Sequence, residues 1–257
     1  VSFLCFVNLY LVMNTALVKN KDSSLFVRVF CLASSLFVML IINTRVAIAI
    51  FALGATSYIA YIFFVKRLTA KKIFFVSAGL GIISIVFLLT FPYTLKKFQK
   101  KTFNKMDMIG KLDQIDQPEE KIYNSLVTRL TVWSVVLDMS TKKPMIGYGY
   151  TNCYTLLFQK YKDSNQRFLL KYKFKVHNQF LDYLLKFGYL GPVLLIIFFT
   201  NKFYIAIKTR STVFLYFCML YLAANLFDDL LRIYDGIAFS AFWTSVFIKS
   251  YLEEKSK

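Results

Sequence analysis
The sequence predicts an all-α, polytopic membrane protein of about seven spans with a long external loop of short amphipathic helices. Three observations predict it. Of the 257 residues, 57% are hydrophobic and the mean hydropathy is +0.52, an excess over ordinary soluble domains. Apolar runs close to bilayer-spanning length recur along the chain. The 28 phenylalanines and 17 tyrosines suit lipid-facing surfaces and the aromatic belts at the bilayer edge.

The apolar runs cover residues 1–18, 25–43, 45–65, 73–92, 190–207, 212–228 and 236–250. Each approaches the roughly 20 apolar residues a spanning helix needs. They divide the chain into helices one to four over 1–92, a large loop over 93–189, and helices five to seven with a charged tail over 190–257. Val1 already lies inside an apolar run with no basic stretch before it. The chain is therefore read as the carboxy-terminal part of a longer protein, with no cleavable signal peptide.

Basic residues set the orientation. Lys19, Lys21 and Arg28, then Lys66, Arg67, Lys71 and Lys72, then Lys202, Lys208 and Arg210, and finally the tail all fall on one side of a seven-span chain. The positive-inside rule makes that side cytoplasmic. The Asn43–Arg45 turn, the 93–189 loop and the Asp228–Asp235 loop are then external. The formal net charge of +18 would raise nucleic acid as a partner in a soluble protein. With the cations set between apolar runs, orientation and an anionic substrate explain them, and no nucleic-acid partner is expected.

The loop is lysine-rich, which long translocated loops tolerate. Ile122, Leu126, Leu130, Trp133 and Leu137 recur at helical spacing, predicting an interfacial amphipathic helix over 119–139. Pro144, Gly147 and Gly149 break it. A second short helix is expected over 151–162 and a third over 178–187, with Gly188 as its stop. Cys5, Cys31 and Cys218 read as small buried residues, and Cys153 is alone in the loop. No CxxC pair, P-loop, dinucleotide fingerprint or nucleophile elbow occurs. Neither a metal nor a cofactor is expected.

Arg45 heads the third apolar run, and Arg129 lies four residues before Trp133 on the same helix face. Each reads as a snorkelling or surface arginine, or as a fixed cation whose planar fork pairs phosphate oxygens. His177 is the one histidine. A lone histidine is more often structural, yet its side chain suits a proton acceptor near neutral pH. The Pro144–Tyr150 turn, which includes Tyr148, reads first as a helix break. Asp228, Asp229, Arg232 and Asp235 read as a solvated turn in preference to a sugar-binding loop.

In order, Thr44-Arg45 heading a helix, Arg129-x-x-x-Trp133, Pro144-x-x-Gly147-x-Gly149, His177-Asn178-x-x-Leu181 and Phe187-Gly188-x-x-Gly191 resemble the O-antigen ligase and polymerase family, the Wzy-like membrane proteins. The resemblance covers roughly residues 25–250; the Lys-rich 96–111 stretch departs from it. It implies a GT-C-like membrane glycosyltransferase of the bacterial cytoplasmic membrane, active on its external face. Such enzymes pass a glycan from undecaprenyl pyrophosphate to an acceptor glycan without metal or nucleotide sugar. The two family arginines that hold pyrophosphate correspond to Arg45 and Arg129, and the acceptor-serving histidine to His177. Asn178, Trp133 and Tyr148 join them as expected substrate-binding residues. Partners would include the bilayer, a flippase and a chain-length regulator.

Such chemistry is physically coherent. A departing pyrophosphate develops charge that fixed guanidinium groups stabilise. The acceptor hydroxyl needs a base as it attacks C1. A polymerase of capsule, exopolysaccharide or O-antigen is preferred over a ligase, because the Lys-, Phe- and Ile-rich composition fits an AT-rich genome, where capsule polymerases are common. A lipid-linked sugar flippase is disfavoured because the apolar runs carry few interior charges. A scaffold would not need the arginine and histidine set.

Overall fold
The computed structural model describes residues 2–17, 24–42, 45–66, 105–114, 117–118 and 124–255. The expected helix over 73–92, the lysines from 96 to 101, Thr44 and Ile122 lie outside the described residues. Ten α-helices and three short 3-10 turns make up the described elements, with no strand among them. The chain forms two compact units. The first contains residues 1–94, 202–224 and 243–257, and the second contains 95–201 and 225–242.

The first unit holds α1 (Ser2–Leu17), α2 (Ser24–Ile42) and α3 (Arg45–Lys66). These match the first three apolar runs to within a few residues. Its core is aromatic. Phe6 stacks on Tyr216 with ring centroids 3.8 Å apart, and Phe3 meets Trp243 edge-on at 4.8 Å. The Tyr216 hydroxyl lies 2.7 Å from Ser2 Oγ, which satisfies a buried polar tip. Gly54 lets α3 approach the Tyr216 ring, since a Cβ there would collide with it. Cys5 and Cys218 are buried as expected, but Cys31 is exposed on α2.

The second unit carries α4 (Ser125–Lys142), α5 (Cys153–Asp163), α6 (Arg167–Lys171) and α7 (Gln179–Phe187). Asn124 caps α4 by accepting from the Leu126 amide, and Asn178 caps α7 by accepting from Leu181. Gly188 stops α7 at a φ of 61°. The buried side of α4 is not the expected stripe. Val127, Val132, Val136 and Met139 enter the core, whereas Leu137 is 49% exposed. Thr128, Thr131 and Ser140 lie on the buried side as well. Their hydroxyls donate to the carbonyls of Asn124, Val127 and Val136, so they pack as if apolar. Cys153, Leu157, Tyr161, Leu169, Val176 and Leu185 complete this core. The helix thus contributes a buried face to the core of its unit.

The remaining helices are α8 (Leu190–Lys208), α9 (Thr212–Phe227) and α10 (Tyr234–Lys255). Among the described residues, α8 alone is long and apolar enough to cross a membrane; shorter apolar stretches lie in α1, α2, α3 and α9. Of the cations expected in connecting loops, Lys66 and Lys208 are the last residues of α3 and α8, and two more lie further inside helices. Arg28 belongs to α2. Lys202 belongs to α8 and is buried, with its ammonium 5.0 Å from the centre of the Tyr221 ring.

Candidate functional site
The second unit brings Arg129, His177, Asn178 and Gln179 to one short segment, residues 226–232. That segment follows α9 and carries a 3-10 turn at Leu230–Arg232. Four side chains hold it. The Arg129 guanidinium donates to the Phe227 carbonyl at 2.6 Å, and the Asn178 amide to the Leu226 carbonyl at 2.9 Å. Gln179 Oε1 accepts from the Leu231 amide at 2.9 Å. His177 Nδ1 lies 3.1 Å from Asp228 Oδ1 and 3.7 Å from Asp229 Oδ1.

His177 is held in an unusual conformation. Its φ is +49°, a left-handed geometry in which a non-glycine residue persists only when its surroundings impose it. Two neighbours do so. The Trp133 indole donates to the Val176 carbonyl at 2.8 Å, and Asn178 caps α7 directly after the ring. An ionised Asp228 can only accept, so the imidazole donates from Nδ1, and in the neutral ring that tautomer puts the lone pair on Nε2.

The two carboxylates behave differently. The hydrogen bond from His177 is the main cause that holds Asp228 well below the usual carboxylate range, against an opposing effect of burial. The Asp229 amide also donates to Asp228 Oδ1 at 2.9 Å. Burial pushes Asp229 upward, and the pairing with Arg232 opposes it. Asp229 is fully buried and Arg232 packs against it, so this segment is not the solvated turn its composition suggests.

Arg129 and His177 line one cavity of about 100 Å³ together with Ser125, Thr128, Val132, Phe174 and Lys175. This volume suits a group of a few heavy atoms, such as a phosphate. Arg129 gives one donor to Phe227 and has others to offer, since a guanidinium carries five N–H groups. The other expected residues stand as follows. Arg45 is the first residue of α3, in the first unit. The Trp133 indole is committed to the Val176 carbonyl, and the Asn178 side chain to the Leu226 carbonyl and the Leu181 amide. The Tyr148 hydroxyl donates to the Met139 carbonyl at 2.9 Å.

His177, Asp228 and Asp229 are also the one group of metal-type ligands found among the described residues, with ligand atoms within 4.8 Å of one another. Arg232 faces Asp229 and the imidazole faces Asp228, so both carboxylates have compensating partners within the protein. Their part in the site was missed in the sequence. The available signal was an adjacent acidic pair followed by an arginine at i+3, a spacing that permits one to neutralise the other.

The described residues are helical throughout their regular elements, with one helix long and apolar enough to cross a membrane and a cluster of guanidinium, imidazole and carboxylate groups in the second unit. The comparison with family models is specific. The chain belongs to the O-antigen ligase family (Wzy_C), whose model matches residues 30–196. Proteins of this family are glycosyltransferase-like ligases and polymerases of the bacterial inner membrane, and act on lipid-linked oligosaccharide and an acceptor. No curated protein matches the chain. The match includes Arg129 and His177 but ends before Asp228 and Asp229.

Proposed function
We propose that this protein polymerises undecaprenyl-pyrophosphate-linked repeat units into a surface polysaccharide, at the external face of the bacterial cytoplasmic membrane. One observation carries the reading: a guanidinium and a carboxylate-backed imidazole line the same small cavity. The pyrophosphate sits against Arg129, and the acceptor sugar hydroxyl meets His177. As the acceptor oxygen attacks C1, its proton passes to Nε2 of His177. The C1–oxygen bond to pyrophosphate breaks, and the lipid pyrophosphate leaves with both electrons of that bond. Configuration at C1 inverts. Asp228 fixes the ring tautomer and stabilises the imidazolium formed. Family resemblance makes Arg45 the candidate for the second pyrophosphate-binding arginine. The reading includes about seven spans and an external 93–189 segment, and no metal takes part in it.

A ligase reading is favoured by the description of the matching family, O-antigen ligase. The donor is shared and the acceptor differs. Lipid-linked glycans extracted from cells lacking the gene separate the two. Loss of a polymerase leaves single repeat units on the carrier, whereas loss of a ligase strands long chains there. Normal surface polymer in the deletion strain would remove both readings. In membranes carrying Arg129→Ala or His177→Ala, transfer should fall by at least about 100-fold while the protein still inserts.

A further inference from the structure
The turn after α4 exposes more apolar surface than a turn on a water-facing loop would. Met145 is 75% and Ile146 81% exposed. They are not isolated, because the turn is locked to the start of α8. The Tyr189 amide donates to the Pro144 carbonyl at 2.7 Å, and the amides of Tyr148 and Gly149 donate to the carbonyls of Leu185 and Lys186. Gly147 and Gly188 bring the two backbones into contact. A Cβ on Gly147 would come within 2.6 Å of the Gly188 nitrogen, and one on Gly188 would strike the Pro144 carbonyl. Met145 and Ile146 are therefore displayed beside Leu190, the first residue of the helix long and apolar enough to cross a membrane. The outer face of that helix is apolar as well, with Leu190 60% and Leu194 54% exposed. Lys142 and Lys143, both exposed, immediately precede the turn, with the Lys143 ammonium 5.4 Å from the centre of the Tyr148 ring.

We infer that the Pro144–Ile146 turn inserts into the bilayer interface beside α8, placing Met145 and Ile146 among acyl chains and Lys142 and Lys143 at lipid phosphates. The occupant is lipid because the turn is hydrogen-bonded to the residue that leads into a membrane-length helix, and Tyr189, Leu190 and Leu194 there are exposed as Met145 and Ile146 are. Its edge carries cations, as expected at an anionic headgroup layer. The inference rests on α8 crossing the membrane. Within that reading, the turn fixes the depth at which α4 and α7 present Arg129 and His177 to a lipid-borne pyrophosphate.

The test places an environment-sensitive nitrobenzoxadiazole probe at Ile146→Cys. A Cys31→Ser background suffices, because the other native cysteines are buried. The protein is reconstituted in nanodiscs of three parts phosphatidylcholine to one part phosphatidylglycerol. The expected result is blue-shifted emission, quenched by lipids carrying a nitroxide near the headgroup at least about twofold more than a probe at exposed Thr155→Cys. Adding Lys142→Gln and Lys143→Gln should reduce the shift in these anionic discs but not in pure phosphatidylcholine. Water-like emission at 146 overturns the proposal. A blue shift without lipid quenching also overturns it, since a second copy or another protein would then cover the patch. A probe at Ile197→Cys, on the exposed face of α8, separates the two levels. If 197 is quenched by mid-chain nitroxide while 146 is not, the turn proposal fails alone. If neither is quenched, the placement of α8 in the membrane fails.

Discussion
The proposed role of His177 as a base depends on the neighbours that hold the ring, and Asp228, 3.1 Å from Nδ1, is the nearest charged one. Asp228→Asn should preserve the shape of the contact while allowing the wrong tautomer. The turnover rate should then fall by about 100-fold or more, with little change in the affinity for lipid donor. An equal loss from weakened donor binding would show that Asp228 serves the substrate instead. The same carboxylate makes a prediction about pH. Its pKa in the folded protein is depressed, first by the His177 hydrogen bond. The stability it contributes is therefore complete above the unfolded value of about 3.9 and is lost as pH falls below it. Asp229 shifts upward, first through burial, and works in the opposite direction above the same pH. A plot of denaturation midpoint against pH should lose part of its acid slope in Asp228→Asn, and an unchanged slope would contradict this account. Arg129 and His177 were legible in the sequence because short motifs surround them. The acidic pair was not, since its burial depends on hydrogen bonds from residues 48 to 98 positions away.

At the scale of the element, the junction between α4, α7 and α8 is the least tolerant part of the second unit. Gly188 has a φ of +61° and no room for a Cβ against the Pro144 carbonyl. Gly188→Ala should destabilise this unit by about 1–3 kcal/mol, read as a lower denaturation midpoint. Gly149 has a φ of +77° with open space around it, so its alanine variant should cost less, about 1 kcal/mol from backbone strain. Within α7, Lys186 and Asp182 form an ion pair of 2.6 Å with both side chains buried, and the Tyr154 hydroxyl donates to the second carboxylate oxygen at 2.5 Å. Lys186→Met leaves a buried carboxylate without its cation and should cost about 3–5 kcal/mol. The double variant with Asp182→Leu should recover most of that loss. Helix positions were readable because caps and glycines mark them. The face of α4 was not, because periodicity counts threonine and serine as polar, while in this helix their hydroxyls bond to their own turn.

At the scale of the whole molecule, the apolar runs announced six of the described helices, yet length and hydropathy together single out α8. The apolar stretches in α1, α2, α3 and α9 are shorter over the described residues. The proposed odd number of spans predicts opposite faces for two markers. A cysteine at Thr155 should react with an impermeant maleimide in intact spheroplasts, and one at Glu254 only after permeabilisation. Labelling of both from the same side would reject that arrangement.

The clamp on residues 226–232 has a genetic consequence. A reading frame that stopped anywhere in α9 would still encode every motif by which the chain advertises itself, from Arg45 to Gly191. It would also lack both acids that partner the imidazole. Such an allele would look intact in its recognisable part and be silent in the cell, so complementation studies need the codons that follow α9 as much as the histidine itself.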